Sequence, residues 1–330
     1  MIAVENKILQ LVSKHKLGEA IGLTSVCSAN LYVIKAAILN AKKYNQILLI
    51  ESTSNQVDQF GGYTGITPHQ FRTLVFNLAN DLAFPIENLI LGGDHLGPNR
   101  WQNENSNSAM QKAKDQMAAY ISAGYTKIHL DASMKCADDG NQKVPLEPSV
   151  VAERSAILCK VAEETFSNSA DNIEAPVYII GTDVPPPGGA KEDHNQISIT
   201  AAKEVEQTIE LTKKAFEKYN LQAAWNRVVA VVVQPGVEFG EEVVFDYDRN
   251  KFRELVKVIE NYPNIVYEAH STDYQKKELL KQMVEDHFAF LKVGPWLTFA
   301  FREAVFALAL IEKALGRGGA VVCASITAPW

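Results

Sequence analysis

Between Leu89 and Trp101 the sequence reads LILGGDHLGPNRW, an apolar run that ends on an aspartate and a histidine side by side. An imidazole can hold a divalent metal, and a carboxylate can take up and return a proton. The pair Asp94-His95 therefore has the makings of metal-assisted acid–base chemistry. Similar groupings recur. KIHLDAS places His129 two residues before Asp131, the spacing that sets both on one side of a strand. EAHSTD carries Glu268, His270 and Asp273, IESTSNQ carries Glu51 and Ser52, GTDV carries Asp183, VVVQPG carries Gln234 and AFLKVG carries Lys292. A lone histidine on a strand is usually a satisfied core residue, but polar groups closing nearly every strand of one sheet call for a shared explanation.

The elements that must position these residues repeat one pattern, a short β-branched apolar run followed by a polar loop and a helical stretch. Eight runs qualify: 20–27, 46–52, 88–95, 126–133, 176–184, 227–236, 264–271 and 289–295. Helical periodicity fills the gaps, as in ANLYVIKAAILNAKKY, TPHQFRTLVFNLANDL, SAMQKAKDQMAAYISAG and ITAAKEVEQTIELTKKAFEKY. Strands alternating with helices imply parallel βαβ units, and continuous apolar strands imply burial on both faces. Eight units predict an α/β TIM barrel, with residues 1–315 as one domain and 316–330 as an atypical tail. In such a barrel the carboxyl ends of the strands form the catalytic rim, which is where these polar residues fall.

Composition bounds the remainder. The chain has 330 residues, 47% hydrophobic, with a formal net charge of −7. Mild acidity without a basic stripe argues against a nucleic-acid partner, and no apolar run reaches the length of a membrane helix. The four cysteines, Cys27, Cys136, Cys159 and Cys323, form no CxxC pair, which suits a reducing, cytoplasmic setting. Neither a dinucleotide fingerprint nor a Walker A motif is present; GRGGA near residue 318 has the glycines without the Lys-Ser/Thr.

Within the rim, His95 and His270 are the expected imidazole ligands of a divalent cation, zinc first, with manganese or nickel as alternatives. Asp94, Glu51 and Asp131 are the expected acid–base groups. Ser52, Asn55, Gln56, His129, Gln234, Glu268 and Lys292 are the expected contacts to substrate. His15, His69 and His287 read as structural. The loop DVPPPGGAKEDHNQ, with His194, reads first as a solvated loop and alternatively as a lid, stiff at its start and hinged after it. An apolar helical stretch near 299–310 suggests packing in a homo-oligomer.

Six segments together resemble the GatZ/KbaZ family, the non-catalytic subunits of class II D-tagatose-1,6-bisphosphate aldolase: IESTSNQVDQFGGYTGITP, LGGDHLGPNRWQ, KIHLDASM, GTDVPPPGGA, EAHSTDYQ and LKVGPWLTFAFREAVFAL. The resemblance implies a TIM barrel, a sugar or sugar-phosphate ligand and a catalytic aldolase subunit as partner. It is similar in motif and strand order to the class II aldolases, where an Asp-His pair closes the third strand and two more zinc histidines close the sixth and seventh. His270 fits the seventh. The sixth ends in Gln234-Pro235-Gly236, so a third ligand must come from elsewhere, with Asp183 the expected group. After Leu315 the family continues with a helical segment, whereas this sequence reads GRGGAVVCASITAPW.

Two functions follow. One is a stabilising subunit of the aldolase without chemistry of its own. The other is a metal-dependent C4 epimerase interconverting fructose and tagatose or their 6-phosphates. A sugar-phosphate kinase, which needs a nucleotide phosphate cradle, is disfavoured.

Overall fold

The computed structural model describes residues 6–169, 174–181, 197–240 and 242–315. Asp183, His194 and the segment 316–330 lie outside them. Eight parallel strands close a barrel: β1 (Leu23–Cys27), β2 (Leu48–Thr53), β3 (Leu89–Leu96), β4 (Lys127–Leu130), β5 (Val177–Ile180), β6 (Val228–Val232), β7 (Val266–Ala269) and β8 (Phe288–Val293). Each pairs with its sequence neighbour and β8 pairs with β1. All eight expected strands are present. The observed ones are mostly shorter at the carboxyl end, because the backbone there turns to serve the rim. After β6, for instance, the Gln234 side-chain oxygen accepts from the N–H groups of Gly236 and Val237, which starts a turn.

Helices cover the outside: α1 (Lys7–Lys16), α2 (Leu31–Tyr44), α3 (Pro68–Asp81), α4 (Ser106–Ser122), α5 (Pro148–Ser167), α6 (Ala202–Lys218), the single turn α7 (Gln222–Trp225), α8 (Arg249–Glu260), α9 (Lys277–Glu285) and α10 (Pro295–Ala314). Their starts are written locally. Asn30 and Asn105 accept from the first N–H groups of α2 and α4, and Thr67 forms a reciprocal capping box with Gln70 ahead of Pro68 in α3. A short hairpin pairing Glu238–Phe239 with Val244–Phe245, unforeseen from the pattern, sits in the loop after β6.

Strand alternation sorts side chains into two cores. Outward residues such as Ile50, Leu91 and Ile128 pack against the helices, while Leu23, Leu49, Ile90, Val266 and Phe290 point inward. Helix α1 plugs the amino-terminal mouth, since its Ile8 and Val12 join that inner cluster. Climbing five of the strands by twos from this floor changes the chemistry. Leu49 gives way to Glu51, Ile90 to Gly92 and Asp94, Lys127 to His129, Val266 to Glu268 and His270, and Phe290 to Lys292. The lumen is thus an apolar floor, a charged middle tier and an imidazole–carboxylate tier at the rim.

If α1 closes the barrel floor, Ile8→Ala, at a side chain 1% exposed, should cost about 2–5 kcal/mol in urea unfolding. Leu17→Ser at the exposed end of the same helix should stay within about 0.5 kcal/mol of wild type. Equal effects of the two changes would mean that α1 is not the plug.

Candidate functional site

A regular strand sends neighbouring residues to opposite faces, so Asp94 and His95 could not share a site on an unbroken β3. The register between β3 and β4 slips where it matters: Gly93 pairs with Ile128, but the next pair is Leu96 with Leu130. One extra residue is bulged out, and His95 sits at φ +50°, the left-handed region that β-branched and bulky residues avoid. The bulge brings both side chains to the rim of the lumen. Gly97 completes the arrangement, because a Cβ there would stand 1.6 Å from the Asp131 carbonyl oxygen. Only glycine lets β3 approach β4 closely enough for His95 to reach Asp131.

The middle tier is a closed circuit of charge. Lys127 Nζ lies 2.5 Å from Glu51 and 2.6 Å from Glu268, and Lys292 Nζ lies 3.1 Å from Glu51 and 3.3 Å from Glu268. Lys292 also bridges upward to Asp94. All five residues are buried. Burial would raise the Glu268 carboxyl, but the two ammonium groups and a hydrogen bond from His270 hold it well below the usual range. Gly92 makes room for the circuit, since a Cβ there would meet Glu51 at 2.8 Å.

Above the circuit, His95, His129 and His270 form a triangle with ring centroids 4.9–5.2 Å apart. His95 Nδ1 is 2.7 Å from Asp131, which Ser133 grips through both its N–H and its hydroxyl. That contact turns the Nε2 lone pair of a neutral His95 toward Asp94, 3.8 Å away. His270 Nε2 is 3.1 Å from Glu268, which leaves Nδ1 free. Burial, with Lys292 beside it, lowers His270 to about 3, so the ring is neutral and has a lone pair to give. Burial likewise lowers His129, whose Nδ1 lies 3.1 Å from Asp94 and whose buried Nε2 has no hydrogen-bond partner among the described residues. Burial would also lower His95, but Asp94 and Asp131 raise it instead. Burial would raise Asp131 in turn, but the hydrogen bond and charge of His95, with His129 and Ser133, together hold it well below the carboxylate range.

Asp94, His95, His129 and His270 each offer a ligand atom, and these atoms lie within 4.8 Å of one another. Three imidazoles and a carboxylate suit zinc, manganese or nickel, and the unpartnered His129 Nε2 is the atom such an ion would satisfy. Charge argues the same way. Four buried carboxylates (Glu51, Asp94, Asp131 and Glu268) face two ammonium groups, which leaves a deficit that one divalent cation cancels.

The structure brings Glu51, Asp94, His95, His129, Asp131, Glu268, His270 and Lys292 together. It does not bring in Ser52, whose hydroxyl meets Tyr120 and Tyr125 between barrel and helices. Gln56 accepts from the Thr53 N–H, Asn55 is half-buried in the loop after β2, and Gln234 shapes its own turn. Asp273 caps α10, accepting from the N–H groups of Gly294 and Trp296. Two members of the cluster went unread in the sequence. Lys127 shares a strand face with His129 and Asp131, a period-two signal that was there to be seen. The Cys27 thiol points to Glu51 at 3.5 Å, and burial with that carboxylate raises it well above its usual range.

Removing one ammonium from the circuit strands two glutamates, so Lys127→Met should cost about 3–5 kcal/mol at neutral pH. Pairing it with Glu268→Gln should recover part of that loss, with a coupling of at least about 1 kcal/mol. Additive effects of the two changes in urea unfolding would show that the groups do not share a circuit.

The chain is similar along nearly its whole length to known proteins. The family model described as D-tagatose-1,6-bisphosphate aldolase subunit GatZ/KbaZ-like matches residues 8–322. A structure described as a probable tagatose 6-phosphate kinase from Sinorhizobium meliloti 1021 is 43% identical, with a TM-score of 0.80 over 89% of this chain and 70% of that one. Two aldolases share the barrel at far lower identity. Fructose-bisphosphate aldolase from Campylobacter jejuni is 15% identical, with a TM-score of 0.59 over 92% of this chain and 80% of that one. A putative fructose-1,6-bisphosphate aldolase from Coccidioides immitis is 13% identical, with a TM-score of 0.56 over 88% and 82%. Motifs, barrel and family match agree: the chain belongs to the D-tagatose-1,6-bisphosphate aldolase subunit GatZ/KbaZ-like family.

Proposed function

We propose that the protein is a metal-dependent ketose 4-epimerase that interconverts the fructose and tagatose configurations of a ketohexose or its 6-phosphate. The observation that carries this reading is the donor tier itself. Each of three imidazoles has a ring nitrogen available, next to a carboxylate and an ammonium within contact of each other. A surface that serves only to support a partner subunit has no need for two carboxylates that orient His95 and His270.

The chemistry follows from where the bond lies. The hydrogen on C4 is β to the C2 carbonyl and is not acidic, whereas the C4 hydroxyl is placed for a retro-aldol cleavage. His95, His129 and His270, with Asp94 beside them, would hold the cation, which when bound supplies Lewis-acid polarisation of the C2 carbonyl. The Asp94–Lys292 pair takes the proton from the C4 hydroxyl as the C3–C4 bond breaks and its electron pair moves toward C2. The aldehyde fragment turns over, C3 attacks its other face, and the same pair returns the proton to the new alkoxide. C4 is inverted, and nothing is oxidised or consumed.

The family description favours a second reading, a subunit that stabilises a catalytic aldolase chain. One experiment separates the two. Purified protein is incubated with fructose, tagatose and their 6-phosphates in D2O, with zinc, manganese or nickel, and the sugars are separated. Epimerisation is expected, with no deuterium at C3 or C4. Asp94→Asn should lower the rate at least about 100-fold while metal is retained, and His95→Ala should lose the metal. Absence of interconversion with every sugar and metal would sink the epimerase reading and direct attention to an aldolase partner.

A further inference from the structure

Helix α1 plugs the amino-terminal mouth of the barrel, and two histidines fasten its last turn there. His15, in that turn, is 4% exposed. His287 lies between α9 and β8, on a left-handed backbone at φ +74°. The rings meet edge to face with centroids 5.3 Å apart, and His15 Nε2 is 3.2 Å from His287 Nδ1. Lys16, the next residue, donates to the Ile259 carbonyl near the end of α8, 2.7 Å away. The pair sits at the opposite end of the barrel from the imidazole–carboxylate rim and takes no part in its chemistry.

The hydrogens of this pair can be placed one at a time. His15 Nδ1 lies 2.6 Å from the Ile21 carbonyl oxygen, which can only accept, so Nδ1 carries a hydrogen. In the neutral ring Nε2 is then a lone pair, and His287 must donate to it through its Nδ1–H. That leaves His287 Nε2 as a lone pair facing Glu260 of α8 at 3.9 Å. A first added proton enters there, between ring and carboxylate, and leaves the bond between the histidines intact. A second has only His15 Nε2 to go to, where it meets the His287 N–H, donor against donor.

We infer that this pair is an acid-sensitive latch, which holds the carboxyl end of α1 on the barrel while His15 is neutral and lets go when both rings are charged. Among the described residues, the charged groups that face the pair are Lys16 on α1, Glu260 on α8 and Asp286 just before His287. Asp286 is already engaged by the Tyr247 hydroxyl and by Arg249. Burial pushes both imidazoles below their ordinary value of 6.5, and the Lys16 ammonium adds to the effect. A freed α1 end therefore binds protons that the latched end refuses. The latch is at full strength above pH 6.5 and weakens as the pH falls below it. Lys16, which burial brings down to about 8, stays charged through that range. Release begins at the carboxyl end of α1 and draws Val12, then Ile8, away from the barrel floor.

The test is hydrogen–deuterium exchange of the full chain, read by mass spectrometry at about pH 7.5 and about pH 5 and corrected for the intrinsic pH dependence of exchange. Protection of the α1 amides should fall at least about tenfold at the lower pH, the equivalent of one unit of pKa difference. Protection in α4 and α5 should stay within about threefold. His287→Asn is the control, because asparagine accepts a left-handed backbone and its carboxamide can turn either N–H or oxygen toward His15. In that variant α1 should stay protected at both pH values. Unchanged α1 protection in the wild type would overturn the proposal. So would an equal loss in His287→Asn, or a loss spread evenly over the whole barrel.

Discussion

Two lysines and two glutamates are sealed inside this barrel, and much of the site depends on their being there together. Each ion gave up water at a cost of several kcal/mol, which no single buried pair reliably recovers. Alternation around a circuit changes the outcome: each ammonium faces two carboxylates and each carboxylate two ammonium groups. No member can be replaced without stranding its neighbours. The arrangement is therefore less a source of stability than a constraint that fixes where the charges above it can sit. Glu268 fixes the ring nitrogen that His270 has available, and Lys292 holds Asp94. The rim inherits its geometry from the tier below.

The second constraint is backbone strain. His95 occupies the left-handed region within the bulge, and Ser271, directly after His270, does so as well, at φ +55°. Such residues cost of order 1 kcal/mol or more and persist only where the surroundings overdetermine them. Both lie at the imidazole tier. A regular strand would have turned one member of the Asp94-His95 pair outward, so the strain is what makes two adjacent residues serve one site.

Most of this architecture was legible because barrel strands are written redundantly. Apolar continuity, helix-period gaps and Asn or Thr caps all repeat around the ring, so all eight strands could be placed, with errors confined to their ends. The cluster was less legible. Side-chain alternation predicts that His129 and Asp131 share a face, and it equally predicts Lys127, yet a lysine in an apolar strand reads as an edge or loop signal. Ser52 shows the converse: it adjoins Glu51 in sequence but faces the helices, the parity rule that Asp94-His95 escapes only through the bulge. A bulge depends on pairing between strands 34 residues apart in contact, which no local pattern encodes.

The placement of the third imidazole has chemical consequences. The aldolase pattern expects it at the end of the sixth strand, where this chain has Gln234 bent into a turn. Instead His129 enters from β4, so the donors gather on β3, β4 and β7. The sector lined by β5 and β6 presents Ile179 and Val232 to the lumen. For the proposed epimerisation this asymmetry is useful. A cleaved aldehyde must rotate before the bond re-forms, and the described side chains Ile179 and Val232 offer it no hydrogen bond to break while turning. An enzyme that releases its fragments gains nothing from such side chains, whereas one that must invert and rejoin them does. The same fold hosts both chemistries, and the side from which the third donor arrives is a difference on which they could diverge.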